Sequence, residues 1–197
     1  MASFGSLEEI VAADRAAWRA WLEANHRASP GVFLLLARRR ADGGTVSYDE
    51  AVEEALCFGW IDGRQVPLDE RLVRQHFAPR RAGGTWARSN RERVARLEAE
   101  GRMTDVGRRV VEAAKADGSW AALEDVEAGT IPDDLAAALA GDPGAAVGFA
   151  AFSPSARRAF LWWIKSARRP VTRAERVLDT AWCAAAGIRE PRRRPAP

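Results

Sequence analysis

Cysteine, histidine and lysine are all scarce in these 197 residues, and each shortage closes off a class of chemistry. The two cysteines, Cys57 and Cys183, stand far apart with no CxxC spacing, so a disulfide scaffold is not expected and reduced thiols are the simplest reading. His26 and His76 are isolated and no HExxH occurs, which leaves a catalytic metal without clustered ligands. No GxxxxGK[ST] loop and no GxGxxG after a strand is present, so a phosphate cradle for nucleotide hydrolysis lacks its glycines, and the GxSxG elbow of hydrolases is missing too. The expectation is therefore no metal and no cofactor. Long apolar runs are also lacking: Val32–Ala37 spans six residues, against the roughly 18 to 20 that cross a bilayer, so membrane insertion is not expected. Near the N-terminus Glu8, Glu9 and Asp14 stand where a secretory signal would carry bases, and a cytoplasmic location is expected.

What is present is ordinary globular material, 47% hydrophobic and 29% charged. A chain of this length supports its own core, and one domain over residues 1–188 is expected, followed by a Pro- and Arg-rich tail at 189–197 read as disordered. Of the 30 basic residues only Lys115 and Lys165 are lysine. Charge is distributed in blocks. Residues 71–109 hold eleven Arg against Glu92, Glu98, Glu100 and Asp105, whereas 116–143 hold seven acids and no base. Such blocks either neutralise each other in the fold or leave an anion-binding patch, and both readings stand at this level.

Ser or Thr followed three residues later by Glu is the pattern with which a helix start satisfies its own backbone donors, and it occurs four times, at Ser6/Glu9, Ser47/Glu50, Ser89/Glu92 and Thr172/Glu175. The first predicts a helix carrying Leu7, Ile10, Val11, Trp18, Trp21 and Leu22 inward; the last predicts a stripe of Val177, Leu178, Ala181, Trp182 and Ala185. Further starts are expected at Thr104-Asp105, Asp142-Pro143 and Ser153-Pro154, with the acidic DDLAAALAG as a short helix. The apolar run at 31–37 reads as a buried strand, and 60–65 with 71–77 as a hairpin beside it. The fold class expected is α+β, mainly α: about seven helices around a small antiparallel sheet of about three strands.

Two stretches are poorly explained by packing. In CFGWIDGR (57–64), Trp60, Asp62 and Arg64 sit where a helix gives way to extended chain; in FAPRRAGGTWARSN (77–90), Pro79 and Gly83-Gly84 build a loop that displays Arg80, Trp86 and Asn90 before a helix start. Guanidinium and indole groups leading into a helix N-terminus suit an anion or an acidic, planar ligand. The competing reading has Trp86 plugging the core, Ser89 or Asn90 capping the helix, and Arg80 paired with Asp62 or the acidic segment. Lys165, in a basic stretch joining the last two helices, either lines the same pocket or complements a helix end. Cys57 and His76 suggest a nucleophile and base, but Cys57 lies between Leu56 and Phe58, where a thiol acts as a small core hydrophobe.

SYDEAVEEALCFGWIDG, FAPRRAGGTWARSN, EGRMTDVGRRVVEAAKADGSW and AFLWWIKSARRPVTRAERV together resemble the YdeI/OmpD-associated family, also labelled bacteriocin-protection proteins, from about Trp18 to Gly187. Residues 55–63, Pro79-Arg80, Trp86 and Asn90 carry the family pattern; Gly83-Gly84-Thr85 replaces a Ser-rich turn. The resemblance implies an intracellular bacterial protein of mainly helical fold, linked to resistance against bacteriocins or cationic antimicrobial peptides, with no established reaction. Three function classes follow. The first is a non-enzymatic binding or stress-resistance protein whose partner, a small anionic ligand or a cationic peptide, meets Trp60, Asp62, Arg64, Arg80, Trp86, Asn90 and Lys165. The second is an enzyme using Asp62 as general base and Arg80 to stabilise an anion. The third, nucleic-acid binding through Arg88, Arg91, Arg93 and Arg96, is disfavoured by the interleaved Glu residues.

Overall fold

Glu8–Val11 forms a strand (β1) that pairs parallel with Val32–Ala37 (β2), Glu8 opposite Val32 and Val11 opposite Leu35. A helix was expected here from Ser6/Glu9. Ser6 lies outside the described residues, which in this computed structural model are 7–38 and 44–195. The helix starts only at Arg15–Asn25 (α1), where the Asp14 carboxylate accepts from the Ala17 N–H. Glu9 instead reaches across the sheet to Arg74, 2.7 Å away, a contact available only to a strand.

The chain divides into two compact units, Met1–Ala122 and Leu123–Pro197. In the first, Tyr48–Cys57 (α2) opens with the expected capping box of Ser47 and Glu50. Trp60–Pro67 (β3) and Leu72–Pro79 (β4) make the expected hairpin, and the sheet runs β1-β2-β4-β3 with one parallel and two antiparallel pairings. It is therefore a four-stranded mixed sheet, not a three-stranded antiparallel one. Arg88–Ala99 (α3) starts one residue before the expected Ser89 cap; its N-cap, Ala87, offers no side chain, and the Glu92 carboxylate meets Arg88 at 2.7 Å. Asp105–Ala116 (α4) is capped by Thr104 as expected.

The core of this unit gathers Trp18 and Leu22 from α1, Leu34 from β2, Ala55, Leu56 and Cys57 from α2, Phe77 from β4 and Leu97 from α3. The Trp18 indole N–H donates to the Ala51 carbonyl at 3.0 Å, so this buried polar atom is satisfied. The start of α4 lies against the end of α2: the Thr104 hydroxyl donates to the Cys57 carbonyl at 2.6 Å, and a Cβ on Gly107 would stand 2.3 Å from that same oxygen. Only glycine allows this approach. α2 also brings two acids into the interior. Glu54, fully buried, accepts from Arg15 at 2.6 Å, Arg19 at 2.8 Å and Arg102; Glu53 accepts from Arg15 at 2.7 Å and from Arg96. Part of the basic block at 71–109 is thus neutralised by α2.

The second unit is helical: Glu124–Ala128 (α5), Asp133–Ala140 (α6), Pro143–Ala150 (α7), Pro154–Lys165 (α8) and Pro170–Ala185 (α9). Leu135, Phe149, Phe160 and Ile164 are buried at its centre, with Phe152 stacked on Phe160 at 5.5 Å. α9 begins at Pro170, not at the Thr172/Glu175 pair, and its buried face is Val177, Thr180, Cys183 and Ala184. Leu178, expected inward, is 47% exposed, because the face that packs on the rest of this unit is the one carrying Val177, Thr180, Cys183 and Ala184. In the described part of the tail, Arg193 meets Glu175 at 2.7 Å, and Arg194 approaches the buried Asp179 at 3.5 Å. Among the described residues there are nine helices and four strands, an α+β protein with more elements than the seven and three expected. No helix among them is long and apolar enough to cross a membrane.

Candidate functional site

The β3–β4 register sets Trp60 opposite Pro79, and the Arg80 N–H donates to the Gly59 carbonyl at 3.0 Å. The two stretches singled out in the sequence therefore adjoin. Gly59 makes the junction possible, with φ at +72° as α2 ends. Their side chains nevertheless part company.

Trp60 turns into the core. It is 1% exposed, its indole N–H donates to the His26 carbonyl at 3.3 Å, and its ring meets Trp21 edge-on at 5.9 Å. Asp62 accepts from the Tyr48 hydroxyl at 2.7 Å. Burial and this bond to a carboxylate together push the Tyr48 hydroxyl up to about 12. Arg64 is exposed at the irregularity between Asp62 and Gln65. Asn90 is buried and accepts from Arg93 at 3.3 Å rather than capping its helix. Lys165 belongs to the second unit, where its ammonium donates to Asp125.

Arg80 and Trp86 stay together. The guanidinium carbon lies 3.5 Å from the centre of the Trp86 ring, and Trp86, itself 1% exposed, packs on Trp120 with 4.9 Å between centroids. The Lys115 ammonium lies 5.3 Å over Trp120. A cation thus sits at each end of two packed indoles. Beside this stack is a hollow of about 180 Å³, walled by Arg80, Arg81, Trp86, Val110, Ala113 and Asp117. Trp60, Asp62, Arg64 and Asn90 are not among its lining residues.

Arg80 is poorly compensated. One terminal nitrogen, Nη1, donates to the Thr85 carbonyl at 3.4 Å, while Nε and Nη2 are buried and meet no acceptor. Loss of solvent lowers its pKa to about 10, more than the attraction of Asp62 restores. The reading in which Arg80 is paired with Asp62 does not hold as a hydrogen-bonded ion pair, because the Asp62 Oδ2 is on Tyr48 and the Arg80 fork faces no carboxylate. Across the hollow, Asp117 accepts from the backbone of Ser119 at 2.8 Å and of Gly83 at 3.2 Å. Its bonds to Ser119, and after them the one to Gly83, hold its pKa below the usual carboxylate value. Val110, Ala113, Asp117 and Trp120 were not singled out in sequence as site residues, since the stretch that carries them reads as plain helix and its end.

The other candidates resolve as packing. Cys57 is fully buried and desolvation pushes its thiol up to about 11, so it is no nucleophile. No group of three or more His, Cys, Asp or Glu able to hold a metal occurs among the described residues.

Residues 10–110, half of the chain, match the family model described as Domain of unknown function (DUF8412). Residues 128–187 match the one described as Bacteriocin-protection, YdeI or OmpD-Associated. The YdeI/OmpD-associated resemblance is thereby placed in the second unit, whereas the 55–63 and 79–90 motifs fall within the first match. No curated protein and no solved structure matches the chain.

Proposed function

We propose that this chain, which belongs to the family described as Domain of unknown function (DUF8412) and carries a YdeI/OmpD-associated segment, binds a small anionic ligand. One observation carries the reading: Arg80, its guanidinium over Trp86 and the residue lining a hollow, has two buried N–H-bearing nitrogens without an acceptor. An unpaired buried cation weakens a fold, so a protein holding one gives up stability for something the charge does, and an arriving anion supplies the missing acceptors.

The alternatives have less support. An enzyme using Asp62 and Arg80 needs both at one reacting atom, but Asp62 is engaged by Tyr48 and lies outside the hollow lining. Protection against bacteriocins or cationic peptides rests on the description of the 128–187 match. Capture of such a peptide calls for an open acidic surface, and Asp134 is already held by Arg173 through both oxygens, at 2.8 and 3.1 Å. Nucleic-acid binding through α3 competes with Arg93–Asp49 and Arg96–Glu53 ion pairs.

The test is a thermal-shift screen of small anions against the wild type, Arg80→Met and Trp86→Phe. Hits that disappear in both variants support the reading. Hits that persist in both, or a panel without any hit, refute it.

A further inference from the structure

We infer that the anion is a single carboxylate on a flat apolar body about the size of one ring, an inference that rests on the binding role proposed for Arg80. The guanidinium has two donor edges. Nη1 is spent on Thr85, and the pair left without acceptors, Nε and Nη2, is the side-on edge. Two parallel N–H groups on that edge match the two oxygens of a carboxylate, the bidentate geometry in which arginine surpasses lysine.

Charge and shape narrow the class further. Asp117, held by Gly83 and Ser119, also lines the hollow and offsets the charge of Arg81 there, which leaves Arg80 to match one negative charge. That disfavours a phosphate dianion and favours a monoanion. Besides these charges the lining is largely apolar, with Trp86, Val110, Ala113 and Ala114 offering contact area, and the Ser119 hydroxyl is already turned to the Ala114 carbonyl. A volume of about 180 Å³ compares with the roughly 150 Å³ apolar cavity that accepts benzene. A bidentate carboxylate lies in the plane of the guanidinium, whose central carbon is 3.5 Å from the centre of the Trp86 ring, so an apolar substituent on it has the indole within reach. Nε and Nη2 are shut from water as they stand, so a ligand reaches them only with a local movement of the lining, in which Gly83, at φ +70°, and Gly84 have the greatest backbone freedom.

The experiment titrates the full chain with benzoate, benzamide, inorganic phosphate and sulfate by calorimetry, and repeats each on Arg80→Met after circular dichroism has shown that the variant is folded. Benzoate is expected to bind, with benzamide at least about tenfold weaker and Arg80→Met at least about tenfold weaker for benzoate. Phosphate or sulfate binding as tightly as benzoate, and lost in Arg80→Met, overturns the ring-carboxylate class while keeping the anion-binding role. Benzoate binding that survives in Arg80→Met, or benzamide binding equally well, overturns the assignment to the Arg80 edge. Absence of any binding overturns both this inference and the role on which it rests.

Discussion

Arg80 and Trp86 form one unit: the guanidinium lies 3.5 Å above the indole, which itself is closed off from solvent. The two contribute to the fold in opposite senses. Trp86 fills core space, so Trp86→Ala is expected to cost about 3 to 5 kcal/mol. Arg80→Met removes an uncompensated charge but keeps an apolar stem over the ring, so the change in stability is expected to be within about 1 kcal/mol, in either direction. Urea unfolding of both variants checks this, and a severe loss in Arg80→Met would make the residue a structural anchor.

The contact between α2 and α4 predicts a second outcome. A methyl on Gly107 meets the Cys57 carbonyl at 2.3 Å, and backbone oxygen cannot step aside. Gly107→Ala is expected to destabilise by about 2 kcal/mol or more, through separation of the two helices. A gain in stability, as replacing glycine inside an open helix would bring, is the result that contradicts the packing described.

Acid should loosen the first unit. Burial works against the Glu53 charge, yet hydrogen bonds from Arg96 and Arg15 prevail and hold its pKa below the usual carboxylate value. Its folded pKa is thus depressed. The stability it contributes is complete above the unfolded pKa and is lost as pH falls through the lower, folded value. Glu53→Gln should flatten the acid limb of a stability profile measured from pH 6 to pH 3; an unchanged limb would assign it to other carboxylates.

Capping provides a paired comparison. Ser47 and Glu50 form a complete box, so Ser47→Ala is expected to cost about 1 kcal/mol. Ser89 lies inside its helix, which begins at Arg88, so Ser89→Ala is expected to change stability by less than about 0.5 kcal/mol. Equal losses in the two would restore the Ser89 cap.

Burial should also silence both thiols. Desolvation raises Cys57 to about 11 and shifts Cys183 upward as well. Iodoacetamide at pH 8 is expected to leave the folded protein unlabelled and to modify both cysteines in urea, as mass spectrometry would show.

Local patterns were legible wherever one element decides its own fate. The apolar run at 32–37 became β2, the Ser47/Glu50 pair became a capping box, Thr104 capped α4 and Gly59 ended α2. They misled where an element depends on a distant partner. The residues of β1 sit beside a capping signature, yet pairing with β2, some two dozen residues away, makes them a strand. Likewise the Leu178 stripe was set too far round the helix, since the neighbours packed in this unit cover the side of α9 that carries Val177, Thr180, Cys183 and Ala184.

The sequence by itself determined which residue types are available for chemistry: no clustered metal ligands, a wealth of arginine, and an Arg80–Trp86 pair in a glycine-bearing loop. Only the tertiary structure decided which of those groups stand together. Trp60 went to the core and Asp62 to Tyr48, while Val110 and Ala113 of α4, and Asp117 just past its end, came to line one hollow with Arg80. The reason is physical: a side chain's type is written locally, but whether its charge finds a partner depends on which distant surfaces the packed elements bring within hydrogen-bond reach.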